Sequence, residues 1–362
     1  MVSKDLYDMA FSPTDPSNVS QNDSSCHLHH LPRAASTMLC LFYTVLLVFS
    51  ALGNILALYL ACQKGNKINS TGVYLVHLAV SDLLFTLALP GKITYYALDF
   101  SWPFGEGLCR LTAFIFYVNT YVGVYLMTCV SVDRYLAVVR THQCPQLRSA
   151  SRAKLICVAV WALVVLQMVP LLLVTMATPV AGRITCMEYA SVEKVSRLSL
   201  IVLLACLISF CGPVGIMFFC YVKITVKLCR TARDNPLTSK NGHHRRACLL
   251  TLVVLLAVVV CFSPYHLNII QFMVRLMLSG PSCLEQRAFK VSLQLTVSLM
   301  NMNCCIDPII YFFASTHYRE WLLGILKLRA PASSSSSVGR VSSETPSTNQ
   351  IGGSVPIEEN QV

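Results

Sequence analysis

The chain has 362 residues, 55% of them hydrophobic and only 12% charged, with a mean hydropathy of +0.59. That much apolar surface cannot be hidden inside a water-soluble domain of this size, which excludes a soluble enzyme or binding module and points to a bilayer. The net charge of +11 raises nucleic-acid binding, but the cations are shared among short loops beside apolar runs. That pattern suits anionic inner-leaflet lipid and an intracellular partner, with no nucleic acid involved.

Residues 1–34 form a polar outer segment without the continuous apolar core of a cleaved signal peptide, so the first span is expected to act as its own anchor. The segment carries glycosylation sequons at Asn18 and Asn22. Seven apolar runs follow, from Ala35 to Cys62, Thr71 to Leu98, Gly107 to Val139, Ala153 to Ala177, Leu198 to Cys229, Ala247 to Met277 and Ala288 to Phe313. Each is long enough to cross about 30 Å of hydrocarbon as a helix. The fold expected is an all-α membrane protein, a seven-transmembrane helix bundle over 35–313.

Basic residues mark one side: Lys64 and Lys67, then Arg140, Arg148, Arg152 and Lys154, then Arg230, Arg233, Lys240, Arg245 and Arg246. The positive-inside rule makes that side cytoplasmic, with the N-terminus extracellular, the C-terminus cytoplasmic and the cell membrane as the location. The sequon at Asn69 then lies on the cytoplasmic side and is expected to stay unmodified. After the last run, 314–329 suits an amphipathic eighth helix on the membrane surface, and no cysteine follows Cys305 to give it a palmitoyl anchor. The serine-rich residues 330–362 read as a disordered cytoplasmic tail. Phosphorylated, the tail would recruit arrestin; an inert solvated linker has the same composition.

Most of the 17 cysteines lie at membrane depth, where they act as small apolar residues. Cys109 and Cys186 fall on the outer side, where the compartment permits a disulfide, and Cys26 and Cys283 form a second outer pair. Free thiols remain the alternative for both, since sequence does not fix connectivity.

Charge at depth is expensive and usually lines a cavity or meets a partner. Asp133-Arg134-Tyr135 closes the third run with a permanent cation, and Asp82 stands in the middle of the second. A snorkelling arginine is the plainer reading of the first. Pro90, Pro170, Pro213, Pro264 and Pro308 interrupt apolar runs, and each removes a backbone hydrogen bond and permits a bend.

Taken in order, Gly53-Asn54, Leu78-Ala79-Val80-Ser81-Asp82, Asp133-Arg134-Tyr135, Trp161, Pro213 with Tyr221, Cys261-Phe262-Ser263-Pro264 and Asp307-Pro308-Ile309-Ile310-Tyr311 resemble the rhodopsin-like, class A, G-protein-coupled receptors. The resemblance runs from about Arg33 to about Arg329. Longer strings, among them Phe116-Tyr117-Val118-Asn119-Thr120-Tyr121, Asn235-Pro236-Leu237-Thr238 and Met302-Asn303-Cys304-Cys305-Ile306-Asp307-Pro308, are similar to the oxysterol-sensing branch of that class. The resemblance implies a receptor for a dihydroxylated sterol that works through an inhibitory G protein to guide B-cell migration.

It also implies roles for individual residues. Asp133 holds Arg134 until activation releases it toward the G protein, with Tyr135, Tyr221 and Tyr311 in the switch and Phe262 above the Pro264 hinge, where relatives carry tryptophan. Many relatives restrain the arginine with a glutamate in span six; His243-His244-Arg245-Arg246 stands there instead, which predicts raised basal signalling. Asn54, Asn119, Asn303 and Asp307 gather around Asp82 as ligands for a sodium ion, the one cofactor-like group expected. A neutral hydrogen-bonded cluster is the alternative. Asp307 departs from the family's asparagine.

Lys92, Tyr117, Tyr121 and Tyr265 are the expected ligand contacts. Lys92 replaces an arginine and lacks its planar fork. The tyrosines, with Tyr95 and Tyr96, would equally suit packing at the membrane interface. Phe116 where an amine receptor needs a carboxylate disfavours amines, and Lys290 lies too far out for a retinal linkage. Asn268-Ile269-Ile270 lacks the arginine of many nucleotide receptors. A chemokine or peptide receptor is the alternative within the class, suggested by Cys26 and Cys283. Outside the class, a transporter should show internal repeats, and no His-Glu-x-x-His or Gly-x-Ser-x-Gly chemistry marks an enzyme.

Overall fold

The computed structural model describes residues 33–65, 68–141, 148–180, 182–187, 192–234 and 242–325. Asn18, Asn22, Cys26, the Asn235–Thr238 string and the tail from 330 lie outside them. The side chains of 241–247, including His243, His244, Arg245 and Arg246, are likewise outside the described ones. The chain divides into a unit of Met1–Leu322 and a second, Leu323–Val362, of which 323–325 are described as the last turn of a helix.

Seven helices are long and apolar enough to cross a membrane: Arg33–Gln63, Ser70–Ala97, Gly105–Val138, Ala150–Leu172, Ser199–Thr231, Cys248–Leu278 and Cys283–Ala314. They are spans one to seven below. A short helix, Thr316–Ile325, follows span seven. Burial is inverted relative to a water-soluble protein: Leu87, Leu155, Leu166 and Ile208 are at least 70% exposed, whereas Asn54, Asp82, His266 and Asp307 are fully buried. Large apolar side chains can face outward in such numbers only where the surroundings are hydrocarbon. Spans two and three are the most buried and span four the least.

Local chemistry sets the ends. Asn69 caps span two by accepting from the Gly72 N–H at 2.9 Å, and Ser149 caps span four through the Arg152 N–H. Span four closes in a tight turn at Val169–Leu172 around Pro170, short of the expected Ala177, which instead opens a strand. Span seven begins at Cys283, ahead of the expected Ala288, because Ser282 and Glu285 form a reciprocal capping box that starts the helix among polar residues.

Between spans four and five lies a hairpin absent from the sequence reading, β1 (Ala177–Val180) antiparallel to β2 (Arg183–Cys186). Gly182 takes a left-handed φ of 78° at its turn. The hairpin is tied down three ways. Cys186 forms a disulfide with Cys109 at the start of span three. Glu106 accepts from the Met176 and Ala177 N–H groups, each at 2.8 Å. Arg183 binds the Asp99 carbonyl and carboxylate at 2.6 and 2.8 Å.

Spans five and six each contain a widened π turn, Leu207–Cys211 and Val258–Phe262, directly before Gly212-Pro213 and Ser263-Pro264. A proline two residues beyond removes a helical donor, and the widened turn absorbs the mismatch. Among the described residues two large apolar clusters fill the bundle, with a small third one around Val138 and Ile224. The inner one includes Tyr121, Phe262, Tyr265 and Tyr311, with Tyr117 packed against it; the outer one includes Phe85, Tyr95, Tyr96, Trp102, Phe116 and Cys186.

Candidate functional site

Near the end of span three Arg134 Nη2 donates to Asp133 Oδ2 at 2.9 Å, the expected neighbour contact. Asp133 has further partners that the sequence did not reveal. Ser70 Oγ donates to its Oδ1 at 2.5 Å, Thr71 Oγ1 to its Oδ2, and Arg148 from the loop before span four makes an ion pair at 3.7 Å. The hydroxyls of span two's first turn and the loop guanidinium therefore share the acid with Arg134. Nearly buried and met by these donors, the carboxylate is held in one orientation. Tyr135 packs beside Val138 and Ile224, with Phe219 of span five 5.9 Å from its ring. Tyr221 packs on the inner cluster.

At mid-depth Asp82 and Asp307 come within hydrogen-bonding reach of each other. Asn303 Nδ2 donates to Asp307 Oδ2 at 3.0 Å. Both oxygens of Asp82, Oδ1 of Asp307 and Oδ1 of Asn303 have no donor among the described residues. Four orphaned acceptors, three of them carboxylate oxygens in a fully buried place, need a proton or a cation between them. Oxygen donors of this kind fit a hard monovalent cation. The other two expected members form walls. Asn54 donates to the Ser50 and Cys304 carbonyls and accepts from the Tyr311 hydroxyl at 3.0 Å, while Asn119 Oδ1 accepts from Ser81 at 2.7 Å. Tyr311 is thereby joined to the polar centre.

Gly123 of span three packs between this centre and Phe262. A Cβ there would stand 3.8 Å from Asn303 Nδ2 and 3.9 Å from the ring of Phe262. Phe262 is buried at the end of span six's π turn, and Pro264 follows in the next turn.

In the outer half Lys92 is buried, its Nζ 5.4, 5.6 and 5.7 Å from the rings of Tyr95, Tyr96 and Phe116 and 3.9 Å from Met187 Sδ. The aromatic faces stabilise the ammonium where water is excluded. Tyr95 and Tyr96 are fully buried in this cluster, Tyr96 donating to Gln294 at 3.0 Å, which corrects their reading as interfacial packing. Tyr121 and Tyr265 are buried and Tyr117 is half-buried, all with the inner cluster. The four expected ligand residues therefore form two stations along the interior, with Phe116 beside Lys92 and Tyr117 next to it in span three. Sequence reasoning passed over His266, which lies between Tyr121 and Tyr265 with ring centroids 6.1 and 5.1 Å away. Its only signal was its place two residues beyond Pro264.

A separate cavity of about 330 Å³ between the outer ends of spans six and seven is lined by Asn268, Phe272, Arg275, Glu285, Phe289 and Ser292, none of them an expected ligand residue. Cys283 is disulfide-bonded, and its expected partner Cys26 lies outside the described residues.

Residues 53–311 match the family described as "7 transmembrane receptor (rhodopsin family)". The chain is 43% identical over 333 residues to "G-protein coupled receptor 183" of Homo sapiens, covering 91% of this chain and 92% of that one. It is 44% identical over 328 residues to the protein of that name from Bos taurus (90% and 91%) and 41% identical over 342 residues to "G-protein coupled receptor 183-A" of Danio rerio (94% and 93%). The chain belongs to the rhodopsin family of seven-transmembrane receptors, multi-pass membrane proteins that are not enzymes and that pass a small-molecule signal to a G protein.

Proposed function

We propose that the ligand of this receptor is a hydroxylated sterol. On this reading it sits in the cell membrane with its N-terminus outside, and signals through an inhibitory heterotrimeric G protein and arrestin to direct B-cell migration. One observation carries the ligand class: Lys92 lies among the aromatic rings of the outer cluster, and Tyr121 and Tyr265 lie in the inner cluster with His266 against both. A rigid apolar body with a hydroxyl toward each end suits an interior of apolar and aromatic side chains that offers polar groups at two places. The strings shared with oxysterol-sensing receptors support the same choice.

The peptide alternative lacks acids to greet basic residues. Among the described outer residues Asp99 is paired with Arg183, Glu106 with Arg110, and Glu285 with its own helix cap. Asp82, Asp307 and Asn303 would hold a sodium ion, which would supply a positive charge between the carboxylates of spans two and seven, with Tyr311 and Asn54 bracing the wall.

The test is G-protein activation in surface-expressed receptor against sterol diols, chemokines and nucleotides, with Lys92→Ala and Tyr117→Phe alongside. The expected result is a response to a diol, weakened about tenfold or more by Lys92→Ala, the size of one hydrogen bond to a charged group. Silence to every diol, with a response to a chemokine, overturns the sterol reading.

A further inference from the structure

We infer that His266 is a ligand-contacting residue that demands a hydroxyl donor, so that the receptor distinguishes an alcohol from an ether or ketone of the same shape at that end of the ligand. The inference rests on the proposed sterol reading and deepens it.

The argument begins with the backbone. His266 is fully buried, and its Nδ1 lies 2.9 Å from the carbonyl oxygen of Phe262. A carbonyl only accepts, so Nδ1 carries the proton, and in the neutral ring Nε2 is left with a lone pair. Nε2 has no hydrogen-bond partner among the described residues. Both irregular turns contribute to this arrangement. The π turn of span six ends at Phe262, whose carbonyl fixes the tautomer, and the π turn of span five carries Phe210, whose ring stacks on the imidazole at 3.8 Å and 3°. Tyr121 and Tyr265 meet the ring edge-on. The imidazole is thus clamped on a face and at two edges and cannot turn to find a protein donor. A buried acceptor left unmade costs about 1–3 kcal/mol, which a ligand hydroxyl recovers and an ether oxygen or ketone does not. The location at the inner station places this demand at the deep end of an elongated ligand.

The experiment measures competition binding to the full-length purified receptor, using a sterol diol and derivatives in which one hydroxyl at a time is converted to a methyl ether. In the wild type, one ether is expected to bind about ten- to a hundredfold more weakly than the diol. His266→Phe keeps the stack on Phe210 but removes the acceptor, so diol affinity falls toward that ether's and the ratio between them shrinks to within about threefold. His266→Gln, which restores an acceptor oxygen, regains part of the ratio and separates lost recognition from lost folding. A His266→Phe receptor that keeps the wild-type ratio overturns this inference and leaves the sterol reading standing. A wild type that binds none of the sterols overturns both.

Discussion

Asp133 accepts from three donors, Ser70 and Thr71 of span two and Arg134 beside it, and makes an ion pair with Arg148 from the loop before span four. Charge-assisted bonds of this kind are worth about 1.5–3 kcal/mol each, so the carboxylate is a structural hub as well as a brake on Arg134. Asp133→Asn removes the charge and is expected to raise basal nucleotide exchange on the G protein several-fold. Ser70→Ala combined with Thr71→Val frees the carboxylate without neutralising it and should give a smaller rise. Equal basal rates in all three receptors would show that Arg134 is held elsewhere. The Asp133-Arg134 pair was legible because its members are adjacent and their charge at depth is costly. Ser70, Thr71 and Arg148 were not, since they meet Asp133 only after two spans and a loop have packed.

The polar centre obeys the same distinction. Asp82 and Asp307 stand out in any apolar run, yet which oxygens remain without donors depends on the packing that commits Asn54 to Tyr311 and Asn119 to Ser81. If a sodium ion binds the orphaned oxygens, the purified receptor should melt several degrees higher in sodium chloride than in choline chloride, by mass action on the folded state. Asp82→Asn should abolish the difference and Asp307→Asn should shrink it. An undiminished difference in Asp82→Asn assigns the salt effect to another place.

Among the elements, the spans were the most legible part, because length and hydropathy alone define them. Their ends were less so. Span seven starts among Glu285, Arg287 and Lys290, which resemble a loop, but its capping box supplies the missing donors and acceptors. The π turns have no hydrophobic period of their own and were invisible, although the prolines beside them were read as bends. Close approach of elements is also hidden in sequence. Gly53 of span one faces Pro308 of span seven so tightly that a Cβ would overlap the proline ring, which gives Gly53 its reason for lacking a side chain. Gly53→Ala must push the spans apart, an overpacking cost of about 1–3 kcal/mol. The expected result is a melting temperature lower by a few degrees in a thermal-shift assay of purified receptor, with Gly212→Ala, where nothing lies within 4 Å, as the unaffected comparison. Helix propensity favours alanine at both positions, so equal losses in both variants would show that the Gly53–Pro308 contact is not the cause.

At the scale of the whole molecule, two unrelated arguments support the proposed orientation. The Cys109–Cys186 disulfide lies at the end of the bundle shared by the β1–β2 hairpin, and such bonds persist in an oxidising compartment. At the opposite end Arg148, Arg152 and Lys154 flank span four, and Lys223, Lys227, Arg230 and Arg233 crowd the last turns of span five, the excess of cations that marks a cytoplasmic face. Arg134 is at that end, so in the proposed orientation the arginine is within reach of a G protein and the aromatic cluster around Lys92 within reach of an external ligand. The free cysteines provide a test, since Cys62 and Cys229 are both exposed and close spans one and five on the Arg134 side. A membrane-impermeant maleimide applied to intact cells should leave both unlabelled, and labelling that disappears on Cys62→Ser and Cys229→Ser should emerge once the cells are permeabilised. Labelling of these two cysteines in intact cells reverses the orientation, and with it the assignment of the aromatic cluster to the ligand and of Arg134 to the G protein.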